Sequence, residues 1–278
     1  HRLPDCIATE MNEPQDNSAV SLRDFLSTST KFAASAAALG TLPVERFAHG
    51  ASPGDTIKVA LVGAGGRGTG AADQAMQAGS DVKLVAVADV HRDRMDRSLA
   101  SLKKHKDQLA VKEENKFLGF DAYKQAIAQA DVVILATPPG FRPMMFEEAV
   151  RQGKHVFMEK PVAVDGPGIR KVLAAAEEAK KKNLKVAVGL QRHHQPNYQQ
   201  SMQRLHDGAI GDIVSMRCYW NTSPVGPKMT REAVAKLLGR APTEMEYQLR
   251  NWYMFAWLCG DHIVEQHIHN LDVNNWVK

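Results

Sequence analysis

A glycine-rich turn near residue 63 has the spacing that binds the phosphates of a dinucleotide. It follows the β-branched run Ile57–Val62 and precedes an Ala-rich stretch, so the order is strand, turn and helix. In the pattern GxGxxG, Gly63 allows the tight turn, Gly65 lets the backbone approach a pyrophosphate, and Gly68 lets the helix pack on the strand. The helix N terminus then meets the anion. Such a turn can also simply close a βα unit. The candidate phosphate-binding residues are Gly63, Gly65, Gly66, Arg67 and Gly68.

A carboxylate at the end of the next predicted strand favours the dinucleotide interpretation. The strand Val82–Ala88 is followed by Asp89, which can accept hydrogen bonds from both ribose hydroxyls of an adenosine. The same negative charge would repel a 2′-phosphate. Asp89 therefore favours NAD as the cofactor, whereas Arg92 leaves NADP open.

The alternation of apolar runs and helical stretches predicts an α/β fold in residues 55–190. Continuous apolar runs are typical of parallel strands that are buried on both faces. Ligands bind at the carboxyl edge of such a sheet, and there Thr137-Pro138 and Glu159-Lys160 each follow a predicted strand. We therefore predict a Rossmann-type doubly wound parallel sheet. The predicted strands are 57–62, 82–88, 131–136, 155–158 and 185–190, and the predicted helices are 69–78, 92–106, one near Tyr123, 144–152 and 168–182.

With these elements in order, the sequence resembles the Gfo/Idh/MocA family, which includes glucose-fructose oxidoreductase and inositol dehydrogenase. The likeness runs from about Ile57 to the last residue. The resemblance implies a dinucleotide-binding domain followed by an α+β C-terminal domain with an open, mainly antiparallel sheet. Many family members are sugar or polyol dehydrogenases, and some related members cleave glycosides with tightly held NAD. The likeness rests on the glycine turn and on residues 136–139, 159–161 and 265–272.

The resemblance also assigns a role to the residues that follow the predicted strands. Lys160 would lie beside the nicotinamide and the reacting hydroxyl, where an ammonium can stabilise a developing alkoxide. Pro161 would turn the chain through a cis bond, as in family members. Without the flanking residues, Lys160 would be interpreted as an ordinary surface lysine. The further cofactor contacts implied here are Thr137, Pro138, Glu159 and Lys160.

The last predicted helix carries the other catalytic candidates. His269 could act as the general base on the alcohol, because an imidazole titrates near working pH. Glu265 stands where the family commonly has Asp, and it could orient His269 or bind a substrate hydroxyl. The spacing places Asp261, Glu265, His269 and Asp272 on one helical face, and a merely solvated polar face is the alternative. The catalytic candidates are Lys160, Glu265 and His269.

A metal site in the same helix is not predicted. His262, His267 and His269 are close to Glu265 in the sequence, but the HExxH pattern is absent. A separation of five residues also puts His262 and His267 on different faces. We therefore expect no metal.

Polar residues that leave the predicted strand 185–190 are candidates for substrate contacts. They lie where the two domains should meet, and a linking turn with solvated side chains is the alternative. The aromatic residues of the C-terminal half are predicted to be core rather than a sugar platform. The substrate candidates are Arg192, His193, His194 and Tyr198, and the aromatic residues are Trp220, Trp252, Tyr253 and Trp257.

Composition excludes several classes of protein. The 278 residues carry 35 Lys and Arg against 31 Asp and Glu, and the resulting formal charge of +4 is too weak to indicate a nucleic-acid partner. Three cysteines, without paired spacing, favour neither a disulfide framework nor a thiolate zinc site. The composition is that of an ordinary globular protein.

The first 54 residues have the composition of a leader rather than of a folded domain. Residues 21–26 and the weakly apolar, Ala-rich run 32–39 resemble a twin-arginine export signal. Leu22 stands where the first arginine of the pair would be, so a disordered extension is the alternative. The apolar run is too short to span a membrane. We predict export to the periplasm, with a cytoplasmic location if the leader is not a signal.

Residues 191–278 contain too few predicted strands for the expected α+β domain. Ile213–Trp220 is one clear strand, the segments around Ala233 and Tyr247 are predicted helices, and the last helix runs to Lys278. One strand cannot form a sheet, because its edges need partners. We therefore predict that this domain is incomplete here, and that the complete sheet would mediate homo-oligomer formation.

Three functions remain open from the sequence. The first is an NAD-dependent oxidoreductase that transfers hydride from a carbohydrate or polyol hydroxyl to the nicotinamide. The second is an NAD-dependent glycosidase on the same fold. The third is a dinucleotide-binding regulatory protein without turnover; the presence of Lys160 and His269 argues against it, whereas Glu265 leaves it open.

Overall fold

A parallel sheet of six strands lies at the centre of the described part of the chain, residues 56–221 and 228–278 of the computed structural model. The strands are β1 (Ile57–Val62), β2 (Val82–Asp89), β3 (Lys116–Leu118), β4 (Val132–Leu135), β5 (His155–Met158) and β6 (Val186–Val188). Their order is β3-β2-β1-β4-β5-β6, and every pairing is parallel. The direction of winding therefore reverses between β1 and β4, where such sheets bind ligands.

Helices cover both faces of this sheet. In β1, Val59 and Leu61 point to one face and Ala60 and Val62 point to the other, and all four are almost fully buried. Burial on both faces explains why the strand has no polar alternation. The helices between the strands are α1 (Gly66–Ala78), α2 (Arg92–Leu102), α3 (Ala122–Ala128), α4 (Arg142–Arg151) and α5 (Gly166–Lys181).

The predicted fold class of the first domain is confirmed, with small shifts at the element ends. Helix α1 begins at Gly66, within the glycine turn, rather than at residue 69. Helix α2 ends at Leu102 and continues as the 3-10 segment Lys103–Gln108. Strand β3 was not predicted, because three residues are too few to give a periodic signal.

The described residues after β6 are helical. The segment Ile213–Trp220, predicted as a strand, is not one: it has no neighbouring strand to pair with in the described part of the chain, and Val214 is 94% exposed. The expected α+β character is therefore not seen in these residues. The helices are α6 (Pro196–His206), α7 (Arg231–Leu238), α8 (Glu244–Arg250), α9 (Ala256–Cys259), α10 (Asp261–Glu265) and α11 (Ile268–Val277), and the 3-10 segments are Gln191–His194 and Trp252–Met254.

The predicted leader, residues 1–54, lies outside the described residues, so its export role stays a prediction. Of the helices that are described, none combines the length and the apolar character needed to cross a bilayer.

Candidate active site

The glycine turn between β1 and α1 has a backbone that other residues could not adopt easily. Gly63 has φ +95°, and a Cβ atom there would lie 2.7 Å from the carbonyl carbon of Ala136. A Cβ atom on Gly68 would lie 1.9 Å from the carbonyl oxygen of Gly63. These two glycines therefore let the turn, β4 and α1 pack together, whatever ligand binds.

The middle of the turn is open. A Cβ atom on Gly65 or Gly66 would meet nothing within 4 Å. Gly65 is the N-cap residue of α1 and has no side chain that could bond the first helical amides. The first turn of α1, all of it described, carries no acidic residue. The first amides of the helix are thus available to an anion, and the space beside them admits a pyrophosphate.

Asp89, at the end of β2, is bonded to the glycine turn. Its Oδ2 atom accepts a hydrogen bond from the Ala64 amide at 2.7 Å, and its Oδ1 atom accepts one from the His91 amide at 2.8 Å. Burial raises the pKa of Asp89, although these two bonds act in the opposite direction. Each carboxylate oxygen has a second lone pair, so Asp89 can still accept bonds from ribose hydroxyls.

A cavity of about 880 Å³ runs from the glycine turn past Asp89. This volume lies in the range of cofactor pockets. Gly68, Glu159 and Lys160 are not among its described lining residues, and neither is Arg92, the cation that left NADP open. The candidates that line it are Gly63, Gly65, Gly66, Arg67, Asp89, Thr137 and Pro138, and the other lining residues used below are His91, Arg94, Arg97, Lys228, Leu249, Arg250 and Trp252.

Glu159 connects the glycine turn to the other half of the sheet. Its Oε1 atom accepts a hydrogen bond from Nε of Arg67 at 2.6 Å. A Cβ atom on Gly189 would lie 2.6 Å from Oε2 of Glu159, so the carboxylate packs directly on the backbone after β6. Glu159 therefore fixes Arg67 beside the phosphate-binding turn rather than lining the cavity itself.

Lys160 and Glu265 form a pair at the carboxyl edge of β5. The Lys160 ammonium donates to the Glu265 carbonyl and, at 2.8 Å, to its Oε1 atom. Both side chains are mostly buried, with 14% and 7% of their surface exposed. Burial raises the pKa of Glu265, opposed by Lys160 and by Arg142. The Lys160-Pro161 peptide bond is cis.

His269 lies in α11 and stacks on Trp220, with ring centroids 5.7 Å apart. Its Nδ1 atom is buried and has no hydrogen-bond partner among the described residues. Burial first, and then the positive charges of Lys160 and Arg192, lower the pKa of His269 to about 4. At neutral pH the imidazole is therefore uncharged and able to accept a proton.

The turn after β6 contacts the helix that carries His269. Arg192 donates to the His269 carbonyl at 3.0 Å and to Oδ1 of Asn270 at 2.9 Å. Its guanidinium lies over the rings of Tyr198 and Trp220, 5.5 and 5.3 Å from their centroids. Arg192 and Tyr198 are thus brought to the Lys160–His269 region.

The two histidines of this turn differ in their surroundings. His193 pairs with Asp272 at 2.9 Å and stacks on Trp276, with centroids 4.1 Å apart. In the described part of the chain, His194 makes none of these contacts. His193 braces the turn against α11, and nothing in its contacts points to a ligand.

The predicted single face of the last helix is wrong in part. The predicted helix is interrupted between α10 and α11. Glu265 and His269 therefore belong to different helices and do not share one helical face. Asp261 is exposed and bonds its neighbour His262, away from Glu265. Among the described residues, no three potential ligands form a metal cluster.

Sequence reasoning missed Arg142, a buried charge at the start of α4. It is 2% exposed and donates to the carbonyls of Thr137 and Pro161, so it ties the loop after β4 to the loop after β5. Burial lowers its pKa to about 10, opposed by Glu265 and Glu159. One signal was present: Arg142 is the single charged residue in the apolar stretch 132–146.

The comparisons with families and curated proteins match this chain to oxidoreductases and, over a shorter stretch, to a glycosyl hydrolase. Residues 57–190 match the model of the Gfo/Idh/MocA family, described as an oxidoreductase family with an NAD-binding Rossmann fold. The chain is 30% identical to inositol 2-dehydrogenase 4 of Saccharopolyspora erythraea over 179 residues, 63% of this chain and 48% of that protein. It is 29% identical to a glycosyl hydrolase family 109 protein of Shewanella putrefaciens over 131 residues, 46% of this chain and 27% of that protein.

Solved structures extend the likeness to the described fold. The scyllo-inositol dehydrogenase of Lactobacillus casei, with bound NAD(H) and scyllo-inositol, aligns with a TM-score of 0.55 at 23% identity. The alignment covers 81% of this chain and 56% of that one. The chain spans about half the length of the curated inositol dehydrogenases that it matches.

Proposed function

We propose that the protein is an NAD-dependent oxidoreductase that acts on a secondary hydroxyl of a polyol or carbohydrate, because residues 57–190 match the model of the Gfo/Idh/MocA oxidoreductase family. Inositol, the substrate class in the names of the relatives, is the first candidate. The observation that carries the proposal is the buried Lys160–Glu265 pair at the carboxyl edge of β5, the same edge of the sheet at which a cavity of dinucleotide size is lined by the glycine turn and Asp89.

The residues present fit NAD. Open space beside Gly65 and Gly66 and the uncapped amides of α1 suit its pyrophosphate. The Asp89 carboxylate suits the adenosine ribose, and its charge disfavours a 2′-phosphate. Arg94 and Arg97, rather than Arg92, are the cations that line this end of the cavity. When bound, NAD supplies the acceptor for the hydride that leaves the carbinol carbon.

His269 takes the hydroxyl proton in this proposal. Its low pKa keeps the imidazole neutral, and its stacking on Trp220 fixes the ring plane. A neutral ring nitrogen can accept the proton while the electron pair of the C–H bond leaves as hydride. The substrate carbon is thereby oxidised to a carbonyl, and one proton and one hydride are removed.

Lys160 stabilises the oxygen from which the proton leaves. An ammonium has three N–H donors, and two of them are held by Glu265. The third is then directed at the substrate oxygen. Glu265 is in this view the residue that aims Lys160, which fits the buried carboxylate better than a direct role on the substrate hydroxyl.

The test is an assay of the purified protein with NAD and a panel of cyclitols, sugars and sugar acids, followed at the nicotinamide absorbance. Reduction of NAD with one class of polyol, lost in Lys160→Met and kept in the surface variant Lys171→Met, is the expected result. Binding of NAD without reduction for any hydroxyl compound would instead support a non-catalytic dinucleotide-binding protein.

The glycosidase function is a second candidate, supported by the shorter likeness to the family 109 protein. Transient oxidation next to a C–H bond would acidify that bond and permit elimination of the aglycone. Release of a chromogenic aglycone with catalytic NAD, and with no net NADH, distinguishes it from the oxidoreductase.

Export and assembly of the protein are further proposals that rest on the sequence. Residues 1–54 would act as a twin-arginine-type leader to the periplasm, which Arg23→Gln and cell fractionation would test. Homo-oligomer formation would be tested by light scattering of the purified protein.

A further inference from the structure

An ion pair between Asp93 of α2 and Arg250 of α8 lies beside the cavity. Arg250, the last residue of α8, donates from NH1 to Oδ2 of Asp93 at 2.9 Å and from NH2 to Oδ1 at 2.5 Å. The Arg250 side chain is 3% exposed and that of Asp93 is 29% exposed, so the guanidinium is the buried member of the pair. This two-pronged geometry gives the strongest directional contact that arginine makes with a carboxylate.

Asp93 is well placed to keep its charge. It lies in the first turn of α2, where the helix dipole favours an anion. Arg250, and then Arg97, hold the pKa of Asp93 far below its ordinary value. His91, buried at the start of the same helix, has a pKa of about 3 because of its burial, so it adds no competing positive charge near neutral pH.

The segment that carries Arg250 is braced internally. The Asn251 side chain accepts from the Met229 amide at 2.9 Å and donates to the Met229 carbonyl at 3.0 Å. Thr243 and Glu246 form a capping box at the start of α8. Residues 228–252 are therefore linked from end to end, and we call them the cover segment.

The cover segment forms one wall of the cofactor cavity. Leu249, Arg250 and Trp252 line that cavity together with the glycine turn and Asp89. A second cavity of about 640 Å³ lies between the first turn of α2 and helices α7 and α8. Leu249 and Arg250 line both cavities. The ion pair therefore lies in the wall that separates the two cavities, with open space on either side.

We propose that the Asp93–Arg250 pair is a latch that holds the cover segment over the bound dinucleotide and sets the rate at which the dinucleotide dissociates. The proposal rests on the proposed NAD binding. Both residues are positioning residues: Asp93 does not line the cofactor cavity, and its effect would pass through Arg250.

The physical basis is the cost of opening the wall. A dinucleotide seated on the glycine turn has its adenosine side enclosed by the cover segment, so release requires that segment to move. Removal of the Asp93 charge would leave the buried Arg250 guanidinium without its partner, which weakens the closed position of the cover segment and so acts mainly on dissociation. The latch therefore affects the off-rate more than the on-rate.

The test measures release of NADH from the purified protein, with no catalytic step. Trp252 lines the cavity and can transfer excitation energy to NADH, so stopped-flow displacement by excess NAD gives the off-rate. The variants are Asp93→Asn, Arg250→Met and the double variant. Arg240→Met is the matched control, because Arg240 pairs with Glu246 on the same segment at the surface.

We expect each single variant to release NADH at least about tenfold faster, with the double variant no faster than the singles. Arg240→Met should leave the rate unchanged. Equal off-rates in Asp93→Asn and the unmodified protein would overturn the latch, and so would an effect of Arg250→Met alone, which marks a direct contact with NADH.

Two further measurements keep the outcome clear. Thermal melts without nucleotide check that each variant folds. If Arg250→Met does not fold, Arg250→Lys replaces it, because lysine keeps the charge but cannot make the two parallel hydrogen bonds to Asp93. Arg250→Lys should also accelerate release. If the unmodified protein binds no NADH, the proposed function fails; normal binding with unchanged off-rates refutes the latch alone.

Discussion

Lys160 and Glu265 are bonded twice, through the Glu265 carbonyl and through its carboxylate at 2.8 Å. The two residues are 105 positions apart in the chain, and the ammonium contacts both Glu265 acceptors at the carboxyl edge of β5. The pair therefore connects the dinucleotide-binding half of the molecule to the helices after β6. It also leaves one N–H of the ammonium for a ligand.

The first prediction concerns the stability of this pair. Lys160→Met leaves the Glu265 carboxylate buried without its cation, and we expect a loss of about 3 kcal/mol in the free energy of unfolding. The double variant Lys160→Met, Glu265→Leu should recover much of that loss, because neither charge is then buried. Urea denaturation measures both values. Equal stability of the single variant and the unmodified protein would mean that solvent reaches the pair.

The second prediction separates chemistry from cofactor binding. His269→Gln and Lys160→Met should each lower turnover by about a hundredfold or more, because they remove the proton acceptor and the oxyanion partner. Neither residue lines the cofactor cavity, so the Kd for NADH should stay close to that of the unmodified protein. Turnover at saturating substrate and a fluorescence titration give the two numbers. Parallel loss of binding and turnover would contradict the assignment.

The third prediction concerns pH. His269 has a pKa of about 4 in the folded protein and about 6.5 in the unfolded chain. The unfolded state therefore binds this proton first as the pH falls, so the contribution to stability is complete above about pH 6.5 and is lost toward pH 4. His91, with a pKa of about 3, acts in the same direction.

We therefore expect the stability of His269→Gln to fall less between pH 7 and pH 5 than that of the unmodified protein, in urea melts at both pH values. His262→Gln is the control, because the His262 side chain is exposed and its ring bonds the exposed Asp261 rather than a buried group. The same pH dependence in all three proteins would show that His269 is not the titrating group.

The fourth prediction tests the ribose contact. Asp89→Asn keeps the size of the side chain but removes the charge that the ribose hydroxyls and two backbone amides share. Loss of charge-assisted hydrogen bonds should weaken NADH binding by about tenfold to a hundredfold. Asp121→Asn, on a lining residue whose side chain pairs with Lys124 at the surface, is the control. Tighter binding of NADPH by the unmodified protein would overturn the assignment of NAD.

The sequence allowed the first domain to be predicted because its strands are buried on both faces. Continuous apolar runs such as Ile57–Val62 gave five of the six strands directly, whereas Lys116–Leu118 is too short to be found this way. Ile213–Trp220 has the residues of a strand but no partner strand among the described residues. Pairing is a tertiary property, so composition alone could not decide it.

The site was predictable where it is local and not where it depends on distant contacts. The glycine turn and Asp89 follow from spacing within one βαβ unit. Lys160 and Glu265 were each identified through a family resemblance, but the bond between them was not predicted, since no periodicity relates positions so far apart. Arg142 and the Asp93–Arg250 pair were missed because a buried charge gives no sequence pattern of its own until its partners are known.

The last prediction distinguishes glycines that the fold requires from glycines that the ligand requires. Gly68→Ala would place a Cβ atom 1.9 Å from the Gly63 carbonyl oxygen, so α1 must move away from β1. Gly65→Ala meets no protein atom within 4 Å, and its methyl group would occupy only the space beside the first amides of α1. We expect Gly68→Ala to lower the melting temperature, and Gly65→Ala to leave it unchanged while weakening NADH binding by about tenfold or more. Thermal melts without nucleotide and fluorescence titrations measure the two effects. If Gly65→Ala binds NADH normally, the pyrophosphate does not lie against this turn.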